Sequence, residues 1–121
     1  MKDKSPIILA LDTPDVTSAM AMIDKTLDFI SIYKLGLEFF LAHGKTGVSE
    51  IQRKFPDVDI FLDLKLHDIP NTVAGASSSI AELHPRFLTV HAAGGTEMVR
   101  AAAKNLPMTS ITAVTVLTSL G

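Results

Sequence analysis

Five short apolar runs, rich in branched residues, alternate along the chain with four segments of helical spacing, and this alternation limits the possible folds more than any other feature. The runs are "PIILAL" (6–11), "FISIYKLG" (29–36), "VDIFLDLKL" (58–66), "RFLTVHA" (86–92) and "SITAVTVLTS" (110–119). The first of them is a continuous apolar run of the kind that suits a strand buried on both faces. After the first run, Thr13 suits an N-cap and Pro14 the first helical position. Val16, Ala19, Met20, Ile23 and Leu27 then recur with the helical period. "EFFLAHG" and "TGVSEIQRKF" read as helical pieces broken near Gly44 and Gly47. "NTVAGASSSIAELH" (71–84) reads as a helix with a small-residue face, and "GTEMVRAAAKNL" (95–106) as another. The order βαβαβαβαβ predicts an α/β fold with a parallel sheet.

A polar residue stands at or near the carboxyl end of each run, at Asp12, Lys34, Lys65, His91 and Thr118, so each strand is expected to end in a polar group at a similar point of a repeating unit. Right-handed βα units of this kind build either a doubly wound sheet or a (β/α)8 barrel, and both gather chemistry at the carboxyl ends of the strands. No Gly-rich phosphate fingerprint follows the first run, which favours the barrel. A whole barrel takes about 250 residues. The 121 residues present are therefore expected to form the N-terminal portion of one barrel domain, with five strands and four helical connections, without the C-terminal strands.

Composition narrows the function classes. Hydrophobic residues make up 47% and charged residues 20%, the balance of a globular chain. A net charge of -2 supplies no basic field for a nucleic acid. Without cysteine there is no disulfide and no thiolate metal site. Lys2 and Lys4 precede the first apolar run, but Asp12 closes that run too early for a signal core or a membrane span, and the expectation is a cytoplasmic protein.

The stretch "FLDLKLHDIP" (61–70) places two acids and a lysine inside an apolar strand. Strand geometry turns Asp63 and Lys65 to one face and Leu62, Leu64 and Leu66 to the other. A helix would set Asp63 and Lys65 roughly 200° apart and scatter the leucines. In a barrel the pair faces inward near the rim, Asp68 lies just beyond in the loop, and Asp12 and Lys34 reach the same rim from the preceding strands. A structural ion-pair network or a solvated edge strand would also account for these charges.

"FLDLKLHDIPNTV" resembles the D-x-K-x-x-D-I-P-x-T signature of orotidine 5′-monophosphate decarboxylases. "ILALD" (8–12), "YKLGLEFF" (33–40), "TVHAAGG" (89–95) and "VTVLTS" (114–119) resemble further strands of the bacterial members. The D-x-K-x-x-D core is shared with sugar-phosphate decarboxylases and synthases of the same superfamily. Those relatives carry a glutamate on strand two and need magnesium, whereas Lys34 stands at that place here.

The resemblance implies decarboxylation of orotidine 5′-monophosphate to uridine 5′-monophosphate in pyrimidine biosynthesis, with no metal and no organic cofactor. It implies Lys65 as the proton donor to C6 and Asp63 beside the substrate carboxylate. Lys34 is implied to bind Asp63 and the ribose, and Asp12 a ribose hydroxyl. Asp68, Ile69 and Thr72 are implied to complete the site, with Asp68 and Thr72 reaching into a neighbouring subunit of a homodimer, and Thr118 to meet the pyrimidine edge. In the family the phosphate is held by loops after strands seven and eight, beyond residue 121, so the chain alone is expected to be inactive. A non-catalytic half-barrel or a truncation product is the alternative.

Other features carry less. His91 closes the fourth run and reads first as a packed, hydrogen-bonded residue. His43, His67 and His84 lack metal-ligand spacing. "GGT" (94–96) opens a helix and reads as a tight turn rather than an anion site, and Met20 and Met22 read as filler of the core or of an interface.

Overall fold

The computed structural model describes residues 5–120; Lys2, Lys4 and Gly121 lie outside them. The elements are β1 (Ile8–Ala10), α1 (Val16–Thr26), β2 (Ile32–Gly36), α2 (Leu37–Lys54), β3 (Asp59–Leu66), α3 (Pro70–Ile80), β4 (Phe87–His91), α4 (Thr96–Asn105) and β5 (Ser110–Val114). Short 3-10 turns occupy Ala81–Leu83, Ala92–Gly94 and Thr118–Leu120. The strands form one sheet in chain order, β1-β2-β3-β4-β5. The pairs β1–β2 and β4–β5 are parallel, as helical crossovers require. No helix among the described residues is long and apolar enough to cross a membrane.

The chain divides into two compact units between Leu62 and Asp63. In the first, Ala19 and Ile23 of α1, Phe39, Val48 and Ile51 of α2, and Tyr33 and Leu35 of β2 are all buried. Burying each large aliphatic or aromatic side chain contributes about 1.5–3 kcal/mol relative to exposure. Tyr33 satisfies its buried hydroxyl against Thr26 Oγ1 at 2.7 Å. In the second unit, Val73 of α3, Val90 of β4 and Met98 and Ala102 of α4 form a cluster, flanked by Leu66, Val99 and Ile111. α3 packs against α4, and it buries Val73, Ser77 and Ile80, while Gly75, Ser78 and Ser79 of its expected small-residue face are exposed.

Four local expectations are corrected. Helix α1 is capped by Asp15, not Thr13. The Asp15 backbone is extended, and its carboxylate accepts from the Ser18 N–H at 3.0 Å, the N3 position that a capping carboxylate reaches. Pro14 therefore lies ahead of the cap, and the Thr13 hydroxyl accepts from the Asp15 N–H at 3.2 Å. The helical break falls at Gly44 alone, with φ 60° and ψ −158°, while Gly47 is buried inside the helix. β1 is half-buried rather than buried on both faces, because the sheet order puts it at an edge among the described residues; β5, at the other edge, is mostly exposed. Finally, β5 ends at Val114 rather than near Ser119. Its register closes on the pair His91–Val114, where β4 itself ends, so residues 115–117 have no β4 residue left to pair with.

Candidate active site

In the second unit the end of β3 holds a small hydrogen-bonded network. The Lys65 ammonium donates to Asp63 Oδ1 at 2.8 Å, so the pair predicted to share a face does so. Asp63 is 9% exposed and the Lys65 side chain 38% exposed, a buried carboxylate holding a cation that still reaches solvent. The Thr89 hydroxyl of β4 also bonds Asp63 Oδ1, at 2.8 Å, and accepts the Lys65 backbone N–H at 2.9 Å. Lys65 itself has φ 49°, a left-handed conformation inside a strand. A non-glycine residue there costs on the order of 1–2 kcal/mol, and such outliers concentrate where function over-determines the backbone.

Thr89 is inconspicuous in the sequence. Its signal was the alternation in "LTVH", which puts Thr89 and His91 two apart on one face of β4, as Asp63 and Lys65 are on β3. A threonine inside an apolar strand reads simply as a β-former. Beyond the pair, the rings of His67 and His91 lie 5.0 Å apart at 34°. His91 is thus packed on another ring.

The remaining candidates are distributed as follows. Asp68 is exposed, and its Oδ1 accepts from the Ile69 N–H at 2.7 Å. Ile69, 65% exposed, is the N-cap of α3, Pro70 fills the first helical position, and Thr72 is exposed in the first turn. Thr118 opens the last 3-10 turn, past the end of β5, and is exposed. In the first unit Asp12 is exposed, two residues after β1, and Lys34 is half-buried on β2 in register with Ala10. The Leu11 N–H donates to the Lys34 carbonyl at 2.9 Å, which brings the backbones that carry Asp12 and Lys34 side by side.

Parallel strands in chain order, alternating with helices, define the class: a βα-repeat fold, of the kind that carries functional residues at the carboxyl ends of its strands. Comparison with known proteins gives the family. The model of the orotidine 5′-phosphate decarboxylase / HUMPS family matches residues 5–121, and the chain belongs to that family. The orotidine 5′-phosphate decarboxylase of Thermobifida fusca (strain YX) is 54% identical over 116 residues, covering 96% of this chain and 49% of its own length. Among solved structures, an uncharacterized conserved protein from Geobacillus kaustophilus superposes with a TM-score of 0.83 at 34% identity, over 94% of this chain and 56% of that one. The orotidine 5′-phosphate decarboxylase from Lactobacillus acidophilus superposes with a TM-score of 0.77 at 33% identity, over 98% of this chain and 56% of that one. The expected fold is confirmed: five parallel strands alternating with helices make part of a (β/α)8 barrel. The chain spans about half the length of the curated relatives it matches.

Proposed function

We propose that the protein decarboxylates orotidine 5′-monophosphate to uridine 5′-monophosphate, with Lys65 as the proton donor. The observation that carries this reading is the Lys65 ammonium held at 2.8 Å on the buried Asp63 carboxylate. As the bond from C6 to the carboxylate breaks, the electron pair stays on C6 and CO2 leaves. The ammonium stabilises the developing carbanion and then transfers a proton from Nζ to C6; the neutral amine recovers its proton from solvent. Asp63 fixes the ammonium and lies against the departing carboxylate. Asp12 and Lys34 take the ribose hydroxyls, and Ile69 and Thr118 line the base. Lysine at position 34, rather than glutamate, favours this reaction over the magnesium-dependent ones of the superfamily. No step calls on a metal or an organic cofactor.

The exposure of Asp68 and Thr72 at the start of α3 supports a role across a two-fold dimer, each reaching the partner's site. Residues 1–121 hold the reacting groups without the family's phosphate loops, and by themselves we expect them to be inactive.

Lys65→Ala in the whole protein tests the assignment. Turnover should fall by at least about 10⁴-fold, the combined scale of a lost general acid and a lost charge stabiliser. Turnover within tenfold of the parent would overturn it. Site sharing has its own test. Lys65→Ala and Asp68→Ala chains mixed into heterodimers should regain about half the parental activity per dimer, because one site collects both lesions and the other neither. Confirmed heterodimers without recovery would return Asp68 to its own chain's site.

A further inference from the structure

Thr89 is 4% exposed and sits between Leu88 and Val90, both fully buried. Valine would fill that space with the same shape and no polar atom, so the hydroxyl needs a reason. Its bonds supply one, and the chemistry of its partners fixes their direction. The Lys65 backbone N–H can only donate, and an ionised carboxylate can only accept. The Thr89 hydroxyl must therefore take the Lys65 N–H on a lone pair, at 2.9 Å, and send its own proton to Asp63 Oδ1, at 2.8 Å. The Lys65 ammonium donates to that same Oδ1 at 2.8 Å. The result is a closed ring in which one oxygen of Thr89 grips both ends of the Asp63–Lys65 pair, the carboxylate of one and the backbone of the other.

The left-handed turn at Lys65 gives the ring its purpose. An isolated strand residue relaxes out of that conformation, and relaxation re-aims the whole lysine side chain. The Thr89 hydroxyl meets the turned N–H and stops Asp63 Oδ1 from rotating away.

We propose that Thr89 is a positioning residue, which holds the Lys65 backbone in its left-handed turn and the Asp63 carboxylate against the ammonium through a single hydroxyl. This rests on Lys65 as the proton donor, and the test separates the two claims.

Thr89→Val keeps shape and loses the hydroxyl; Thr89→Ser keeps the hydroxyl. The first readout is amide hydrogen exchange in this chain. In Thr89→Val, Lys65 N–H protection should fall by about tenfold or more, the scale of one lost hydrogen bond, while the amides of Leu88 and Val90 keep theirs. Thr89→Ser should stay within about threefold of the parent. The second readout is kinetics in the whole protein. Thr89→Val should lower kcat by roughly 10–100-fold with KM nearly unchanged, the signature of a misplaced reacting group, and Thr89→Ser should restore most of kcat. Unchanged Lys65 protection in Thr89→Val overturns the inference whatever the kinetics. Lost protection with unchanged kcat overturns it too, since the hydroxyl would then hold backbone alone. If Lys65→Ala keeps its turnover, the donor assignment falls separately, while the exchange result still reports the clamp. Should Thr89→Val not fold, Thr89→Cys, of similar size and a weak donor, takes its place with the same expected direction.

Discussion

The two units solve the same backbone problem differently. Among the described residues of the first, the left-handed region is visited only by Gly44, in the kink of α2. In the second it is visited by Gly95 and also by Lys65 and His84. Glycine takes such angles without a steric penalty. Lysine and histidine do so at a cost that other contacts must offset. The first unit therefore uses its left-handed residue to turn the chain, while the second uses Lys65 to aim a side chain.

Substitutions can break or sharpen that contrast, and the largest effect belongs to Gly44. Its φ of 60° and ψ of −158° lie in a region essentially reserved for glycine, yet an added Cβ would meet nothing within 4 Å. The whole cost of Gly44→Ala is thus backbone strain, expected to be about 2–3 kcal/mol by denaturant unfolding. A change under a few tenths would mean the kink can straighten.

Lys65 comes next. Lys65→Ala and Lys65→Gly both lose the ammonium, so the difference between them isolates the backbone. The glycine variant should be more stable by about 1 kcal/mol, and equal stabilities would show that position 65 is unstrained in solution. His84 is an exposed cap at φ 48° and ψ 52°. His84→Gly should gain about 0.5–1 kcal/mol, read as a raised melting temperature.

The smallest effect is at the cap of α1. The Ser18 hydroxyl, at 2.7 Å, and then the Ser18 N–H hold the Asp15 carboxyl below its ordinary value of 3.8. A lowered native value means the cap's contribution is complete above that pH and is lost as pH falls through the lowered value. Asp15→Asn, a cap that does not titrate, should therefore unfold with less dependence on pH below about 3.8 than the parent. Parallel acid limbs for the two proteins would remove Asp15 from the pH response.

These particulars also show what a sequence can disclose. The strands and helices were legible because apolar runs and helical spacing reflect burial directly, and Asp63 and Lys65 were legible because charge inside such a run is conspicuous. The kink at Gly44 could be read because glycine advertises its freedom. The turn at Lys65 could not, since nothing in a lysine signals φ 49°. Thr89 was missed for a related reason: its role exists only when β4 lies beside β3, and from the chain alone it is one more β-branched strand residue. The end of β5 was misplaced because strand length depends on the partner, and β4 stops at His91.

The packing of Tyr33 has an optical consequence. The chain contains one tyrosine and no tryptophan, so its intrinsic emission comes from a ring buried in the first unit. Burial raises the phenol's ionisation above its ordinary value of 10.0, against the smaller opposing pull of Thr26. The neutral phenol therefore favours the native state up to that pH, and the advantage disappears as the solution becomes alkaline enough to ionise the buried ring. Tyrosine emission and tyrosinate absorbance therefore report on the core of the first unit around Tyr33. Any scan that monitors this chain by its own tyrosine fluorescence watches the unit that does not hold Lys65.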